Sequence, residues 1–263
     1  MDLGLTGKIA LVAASSKGLG RASAEALAQE GAQVAICARN GEILRATAVE
    51  IGAATGAEIL ALPADLSNAN DISRVVAETI KHFGSLHILV TNAGGPPAGY
   101  FQDFDDAQWQ AAFNLTMMSA VRLIRAALPA MQQQQWGRII NITSLSVKEP
   151  IDALILSNSI RAAVHGLAKT LASQLGQYGI TVNNVMPGTI HTDRVEQLAR
   201  HSADRTGRTV AEALAEMGQV VPLGRVGRPE ELGALVAFLA SEKASYINGA
   251  SIPADGGRLK GTF

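Results

Sequence analysis

Cysteine and aromatic residues are scarce in this chain, and neither sign of charge dominates it. The single cysteine, Cys37, excludes an internal disulfide and a zinc site built on several cysteines, and its apolar neighbours predict a buried thiol. The formal net charge is −1 at pH 7 and no run of Lys or Arg occurs, so we expect no nucleic-acid partner. Aromatic residues make up 4% of the 263 residues, whereas 48% are hydrophobic, mainly Ala, Val, Ile and Leu, which suits helices packed on a sheet.

Signals for export or membrane insertion are also lacking. The first residues contain no basic segment followed by an apolar one, so no signal peptide is predicted. No uninterrupted apolar run is long enough to span a membrane. We therefore expect a cytoplasmic protein without a membrane partner.

Short apolar runs alternate with longer amphipathic ones along the chain. Several short runs are apolar throughout, which is typical of parallel strands buried on both faces. Their alternation with helices predicts right-handed crossovers and a doubly wound, Rossmann-type α/β sheet in one domain, 1–263. Strands are predicted at 8–13, 33–37, 58–62, 87–91, 138–142 and 181–186. Helices are predicted at 18–31, 41–54, 68–83, 106–131 and 154–178.

The two longest predicted helices, 106–131 and 154–178, carry Ala, Leu, Val and Met around much of their circumference. A helix that is apolar on more than one face needs a second packing partner. We therefore expect a homo-oligomer, either a tetramer or a dimer. A merely broad core face is the alternative explanation.

A loop of small residues joins the first predicted strand to the first predicted helix. It reads Ala13-Ala14-Ser15-Ser16-Lys17-Gly18-Leu19-Gly20. Small residues let the backbone approach a diphosphate, and the helix start supplies free N–H groups and the positive end of its dipole. This position favours a dinucleotide site contacted by residues 15–20 over an ordinary tight turn.

The end of the second predicted strand indicates which dinucleotide is bound. An NAD-selective site usually has a carboxylate here that accepts hydrogen bonds from the ribose. This chain instead reads Ala38-Arg39-Asn40. A guanidinium can pair with a 2′-phosphate, and Lys17 would add a second positive charge, so NADP(H) is favoured over NAD(H). Alternatively, both cations are solvated surface residues.

These features, with several further motifs, resemble the short-chain dehydrogenase/reductase family, especially its 3-oxoacyl-[acyl-carrier-protein]-reductase-like branch. The resemblance covers nearly the whole chain and implies a seven-stranded sheet, commonly in a tetramer. The glycine loop is similar to the family's Thr-Gly-x-x-x-Gly-x-Gly, with Ala13-Ala14 at the first two positions. The other matches are Asp65 and Leu66 beside the adenine, Asn92-Ala93-Gly94 after the fourth strand, the relay Asn114, the catalytic Ser144, Pro187-Gly188 with Thr189 and Thr192 along the nicotinamide, and the terminal Asp255-Gly256-Gly257.

One departure from the family is central. The family carries Tyr-x-x-x-Lys thirteen residues after its serine, whereas this chain reads Ser157-Asn158-Ser159-Ile160-Arg161. Residues four apart share one helix face, where the family's cation lowers the phenol pKa and the phenol exchanges a proton with the substrate. A serine hydroxyl is a weaker acid and shorter by a ring, and loss of a positioned acid typically costs about 10²- to 10⁴-fold. Arg161 stays charged and can still bind ribose hydroxyls.

Other groups are considered as the proton donor. They are His191, Lys148, Glu149, Tyr100 and a water held by Ser157 and Arg161. A charged helical segment, 194–219, is expected to form most of a lid at about 189–220. A further helix is expected to start at Pro229, where acidic residues follow the proline.

Three functions are compatible with these residues. The first is an NADP(H)-dependent oxidoreductase with an altered proton donor, acting on a carbonyl or an alcohol. The second is a nucleotide-binding relative with little turnover, serving as a regulatory or partner subunit. The third is a lyase or hydratase on the same scaffold, since one fold hosts many chemistries.

Overall fold

The computed structural model describes residues 2–261 and forms a single α/β domain. The strands in the described range are β1 (Ile9–Ala13), β2 (Gln33–Ala38), β3 (Ile59–Pro63), β4 (Ile88–Thr91), β5 (Gly137–Ile142), β6 (Ile180–Pro187) and β7 (Ser251–Ala254). The α-helices in that range are α1 (Gly18–Gln29), α2 (Gly41–Thr55), α3 (Ala69–Phe83), α4 (Asp106–Phe113), α5 (Ser119–Gln133), α6 (Ile155–Leu175), α7 (Asp193–Thr206), α8 (Val210–Gln219) and α9 (Pro229–Ala240).

All seven strands are parallel and follow the order β3-β2-β1-β4-β5-β6-β7. The predicted Rossmann-type sheet is therefore confirmed. The direction of winding reverses between β1 and β4, and loops diverge there at the carboxyl ends of the strands. In open α/β sheets this is where ligands bind.

Two apolar layers hold the helices on the sheet. On one face, α1, α2 and α9 pack on side chains such as Val34 and Ile36. On the other face, α3, α5 and α6 pack on side chains such as Leu11 and Leu89. Helices α1 and α9 approach closely, because a Cβ at Gly233 would lie 2.5 Å from the Ala22 carbonyl oxygen. Cys37 lies in the second layer, fully buried as expected.

The long helix predicted at 106–131 is interrupted. A π-helical turn, Asn114–Met118, separates α4 from α5, so the chain gains an extra residue in that turn. By length and composition alone, Asp106–Gln133 could cross a membrane, with a mean hydropathy of 1.2. In the fold this stretch lies beside the sheet, and the α5 side chains of Leu123 and Ala127 are buried in the core.

Two elements complete the chain. Strand β7 was not located from the sequence, and Pro253 inside it explains why, since proline suits only an edge strand. The predicted lid segment forms α7 and α8, which part at Gly207 in a left-handed conformation with φ of +70°. Helix α9 starts at Pro229 as predicted.

Candidate functional site

A cleft of about 940 Å³ opens at the carboxyl ends of the strands. Its walls come from the glycine loop, the ends of β4, β5 and β6, helix α6, and helices α7 and α8. The structure therefore brings together segments that are far apart in the sequence. Of the predicted site residues, the cleft is lined by Lys17, Gly18, Leu19, Asn92, Ala93, Gly94, Ser144, Ser157, Arg161, Pro187, Gly188, Thr189 and Thr192.

The glycine loop turns sharply as it enters α1. Ala14 and Gly18 have positive φ values of 50° and 55°, and a Cβ at Gly20 would lie 2.3 Å from the Ala14 carbonyl oxygen. Asn92 Nδ2 donates to that same oxygen at 3.3 Å and fastens the end of β4 to the loop. Glycine at position 20 is therefore required by a backbone contact within the loop.

The first backbone N–H groups of α1 have no side-chain cap and can bind an anion. Its N-cap, Lys17, makes no side-chain capping bond, and its first turn contains no acidic residue. By contrast, Asn40 and Asn68 cap α2 and α3, and each of those helices has an acid in its first turn. The free N–H groups and the helix dipole thus fit a diphosphate.

Two serines of the loop serve its internal structure. Ser15 is fully buried, and its Oγ donates to the Val12 carbonyl at 2.7 Å and accepts from the Cys37 amide at 3.1 Å. The Ser16 carbonyl accepts from Thr47 Oγ1 at 2.9 Å. The Ser15 side chain therefore lies beneath the loop and joins β1 to β2, and its amide donates to the Cys37 carbonyl at 3.0 Å, so neither group is free to bind a ligand.

The residues predicted at the adenosine end lie where β2 and β3 finish. Arg39 is exposed, whereas Asn40 uses its side chain to cap α2. Hydrogen bonds from the Ser67 amide and hydroxyl hold the pKa of Asp65 below its usual range, and the charge of Arg39 adds to this shift. Leu66 is buried in the core, so its side chain is a structural one.

Ser144, Ser157 and Arg161 meet on one wall of the cleft. Ser144 Oγ accepts from the Ser146 amide at 3.1 Å, which orients the hydroxyl and leaves its hydrogen free to be donated. Ser157 and Arg161 lie one turn apart on α6 and are only 7% and 8% exposed. The predicted pairing of these two positions on one helix face is thus what the structure shows.

The Arg161 guanidinium is anchored to β5. Its Nη1 donates to the Ile142 and Thr143 carbonyls at 3.1 and 2.8 Å. Burial, together with the charge of Arg194, lowers the pKa of Arg161 to about 10, so the side chain remains positive at neutral pH. A small cavity of about 10 Å³ adjoins it, and both Arg161 Nε and the buried Thr116 Oγ1 lack protein partners among the described residues.

Asn114 begins the π-helical turn and is partly exposed. It lies outside the walls of the main cleft, next to Thr116, which lines the small cavity beside Arg161. Its predicted relay role stays a prediction.

The predicted lid segment contacts the glycine loop and the loop after β4 through its first residues. Lys17 Nζ lies 3.1 Å from the Asp193 carboxylate, and Arg194 Nη2 donates to the Pro96 carbonyl at 3.0 Å. Thr192 Oγ1 accepts from the Val195 amide and caps α7. Nearby, Arg258 Nη1 donates to Thr189 Oγ1 at 2.9 Å.

Arg194 and Arg258 also line the cleft, although no sequence motif predicted a role for them. The only signal for Arg194 was its position directly after Thr192 and Asp193, at the start of the predicted lid. The alternative proton donors His191, Lys148, Glu149 and Tyr100 do not line the cleft in the described structure. His191 points to Glu196, with Nε2 at 3.5 Å from the carboxylate.

Beneath the wall formed by Ser144, Ser157 and Arg161, a chain of hydrogen bonds crosses the sheet. His165 Nε2 lies 2.8 Å from Thr143 Oγ1, and His165 Nδ1 lies 3.1 Å from Ser251 Oγ. Asn184 Nδ2 donates to Ser251 Oγ at 3.1 Å, and Asn184 Oδ1 accepts from Asn141 Nδ2 at 3.0 Å. Because Thr143 lines the cleft, this network supports one wall of the site.

The family model described as enoyl-(acyl carrier protein) reductase matches residues 13–258. This chain belongs to the short-chain dehydrogenase/reductase family. The family predicted from the motifs is thereby confirmed.

Curated relatives of the family match almost end to end. A 3-oxoacyl-[acyl-carrier-protein] reductase of Synechocystis sp. is 34% identical over 257 residues, covering 97% of this chain and 98% of the relative. A D-beta-hydroxybutyrate dehydrogenase of Cupriavidus necator is 35% identical over 257 residues, covering 96% and 98%. Among solved structures, L-sorbose reductase from Gluconobacter frateurii, complexed with NADPH and L-sorbose, superimposes with a TM-score of 0.95 at 33% identity, covering 99% and 100%. These relatives support an oxidoreductase activity.

Proposed function

We propose that the protein is an NADP(H)-dependent oxidoreductase that acts on a carbonyl or alcohol substrate with an altered proton donor. The observation that carries the proposal is that the uncapped start of α1 opens into the same cleft as Ser144, Ser157 and Arg161. The NADPH complex of the L-sorbose reductase supports the choice of cofactor.

The chain's own residues account for binding and orientation. The α1 amides would hold the diphosphate, and Arg39 would pair with a 2′-phosphate. When bound, NADPH supplies a hydride. The Ser144 hydroxyl would donate to the carbonyl oxygen, and the positive Arg161 would stabilise negative charge that develops there. The Ser157 hydroxyl, at the position of the family's tyrosine, is too short to take over that residue's contact.

A fluorescence titration tests the cofactor. We expect NADPH to bind in the micromolar range typical of enzyme ligands. Replacing Arg39→Met should weaken NADPH by about tenfold or more and leave NADH unchanged, since only NADPH presents the 2′-phosphate. Lack of quenching or blue shift at millimolar NADPH would end the proposal, and equal affinities for both nucleotides would refute the NADP preference.

Restoring the family's motif tests the altered proton donor. The double variant Ser157→Tyr with Arg161→Lys should raise the reduction of simple ketones, by up to the ~10²- to 10⁴-fold that a positioned acid contributes. Unchanged or lower turnover in that variant contradicts this and indicates a dedicated mechanism. Binding of NADPH without turnover in either protein would favour the second candidate, a nucleotide-binding relative. The hydrogen bonds of Arg161 to the Ile142 and Thr143 carbonyls also fit this candidate, because they give the guanidinium a structural role.

We also propose a homo-oligomer formed through α5 and α6. Small side chains on the outer side of α6, namely Ala162, Ala163 and Gly166, are exposed in the single chain. Light scattering after gel filtration tests this, and replacing Ala163→Glu should shift the mass towards the monomer. A monomeric wild-type mass at micromolar concentration would contradict it.

A further inference from the structure

Positive charge outweighs negative charge along the cleft. Five of its described lining residues are cationic and two are acidic. Both acids are already paired, Asp193 with Lys17 and Glu216 with Arg208. Within residues 2–261, the lining arginines Arg161 and Arg194 form no salt bridge. Since the net charge of the chain is −1, this excess is local to the cleft.

Arg194 lies in the first turn of α7 and lines the cleft beside the loop that follows β4. Its Nη2 donates to the Pro96 carbonyl, and its Nε lies 3.4 Å from the position of a Cβ on Gly95. It is half-buried, and burial lowers its pKa. It also lies close enough to Arg161 for its charge to lower the pKa of that residue. Two half-buried or buried guanidinium groups therefore line the cleft that Ser144 and Ser157 also line.

Two like charges held close together in a half-buried cleft repel each other, and an anion between them would relieve this repulsion. Of the first residues of α7, Asp193 pairs with Lys17 at the start of α1, where the diphosphate is proposed, whereas Arg194 reaches Pro96 in the loop after β4. The anion near Arg194 is then expected to belong to the substrate. A guanidinium keeps N–H groups in a planar fork that matches a carboxylate.

We infer that the substrate is a carbonyl compound carrying a carboxylate, an oxo acid or the corresponding hydroxy acid, and that Arg194 is its specificity-determining residue. The inference rests on the proposed function. In the reductive direction, the carbonyl carbon takes the hydride from NADPH and the oxygen takes a proton. The products are the hydroxy acid and NADP⁺, while the carboxylate is unchanged.

Calorimetry on the enzyme saturated with NADP⁺ tests the inference without requiring turnover. The probes are 2-oxo-4-phenylbutyrate and its methyl ester, which differ in one negative charge. We expect the acid to bind at least about tenfold more tightly than the ester, because a desolvated charge pair is lost in the ester. Arg194→Met should remove most of that difference, and Arg194→Lys should retain part of it.

Arg200→Met is the matched control, because Arg200 lies on the same helix, is exposed, pairs with Glu196 and is not part of the cleft wall. It should keep the full preference for the acid. Equal affinities of acid and ester, or no binding of the acid up to 10 mM, overturn the inference while NADP⁺ binding stands. A loss of NADP⁺ affinity in Arg194→Met, with acid and ester affected alike, assigns Arg194 to the cofactor and also overturns it. Failure of NADP⁺ to bind the wild type is the separate failure of the proposed function.

Discussion

Replacing His165 is expected to change how stability depends on pH. Thr143 Oγ1 donates to the Val185 carbonyl at 3.1 Å, so it must accept from His165 Nε2. His165 Nδ1 then accepts from Ser251 Oγ. Every polar atom of the imidazole is therefore satisfied in the neutral form. Protonation would force Nδ1 to donate to Ser251, whose own hydrogen would lose its acceptor.

The surroundings also oppose a charge on this imidazole. Burial, and then the cations Lys148 and Arg161, lower the pKa of His165 from 6.5 to about 4. The unfolded chain binds this proton near pH 6.5 and the folded chain only near pH 4. The contribution to stability is therefore intact above about pH 6.5 and is lost as the pH falls towards 4.

The size of this loss follows from the two pKa values. A difference of about 2.5 corresponds to about 3.4 kcal/mol. Because the ring is only partly buried, screening by solvent reduces this to about 1–2 kcal/mol. His165 bonds to Thr143, which lines the cleft beside Arg161, so acid would weaken the same part of the molecule that forms the candidate site.

Urea unfolding between pH 4.5 and 7.5, at one protein concentration, measures the effect. His165→Gln keeps a donor and an acceptor but does not titrate, so its free energy of unfolding should fall less on acidification than that of the wild type. Lys148→Gln removes a repelling charge, raises the His165 pKa and should also flatten the acid limb. If wild type and His165→Gln lose stability in parallel, within about 0.5 kcal/mol, the network is not what holds the imidazole neutral.

Three further perturbations test the fold and the loop. Gly20→Ala places a Cβ against the Ala14 carbonyl oxygen, so NADPH affinity measured by fluorescence should fall at least about tenfold. Gly233→Ala crowds α1 against α9 and should cost about 1–3 kcal/mol of unfolding free energy, whereas Gly52→Ala in α2, whose Cβ would make only ordinary contacts at 3.5 and 3.9 Å, should be neutral or slightly stabilising. Burial raises the pKa of Cys37 to about 12, so a disulfide reagent should label it only at the rate of unfolding; rapid labelling of the folded protein contradicts this.

The sheet could be predicted because the apolar sequences of its central strands indicate that both of their faces are buried. The strands β1 and β2 are runs of apolar residues, and most of each run is buried. The glycine loop could be predicted for a similar reason, because local backbone geometry requires its glycines. Gly18 has a positive φ, and a Cβ at Gly20 would meet the Ala14 carbonyl oxygen. Strand β7 is four residues long and contains a proline, so its pairing depends on β6 and not on its own pattern.

The cleft side of the site could be predicted only in part. Ser144, Ser157 and Arg161 could be predicted because their spacing along the chain matches the family's motif, and all three line the cleft. Arg194 reaches Pro96, 98 residues earlier in the sequence, because α7 folds back over the cleft. The pairing of His165 with Thr143 and Ser251 likewise depends on how α6 lies on the sheet. No periodicity along the chain encodes such contacts.

The two unusual features of this cleft act on different steps and can be separated by experiment. Under the proposed function, Ser157 would affect how a proton reaches the substrate oxygen, whereas Arg194 would select a charge elsewhere on the substrate. Ser157→Tyr with Arg161→Lys should therefore raise turnover of ketones and oxo acids by similar factors. Arg194→Met should lower the affinity for oxo acids and leave that for neutral ketones almost unchanged. Because Arg161→Lys keeps the positive charge that repels Arg194, the triple variant should show about the sum of both free-energy changes. Strong coupling would instead mean that Arg194 acts on the reacting oxygen itself, through its influence on Arg161.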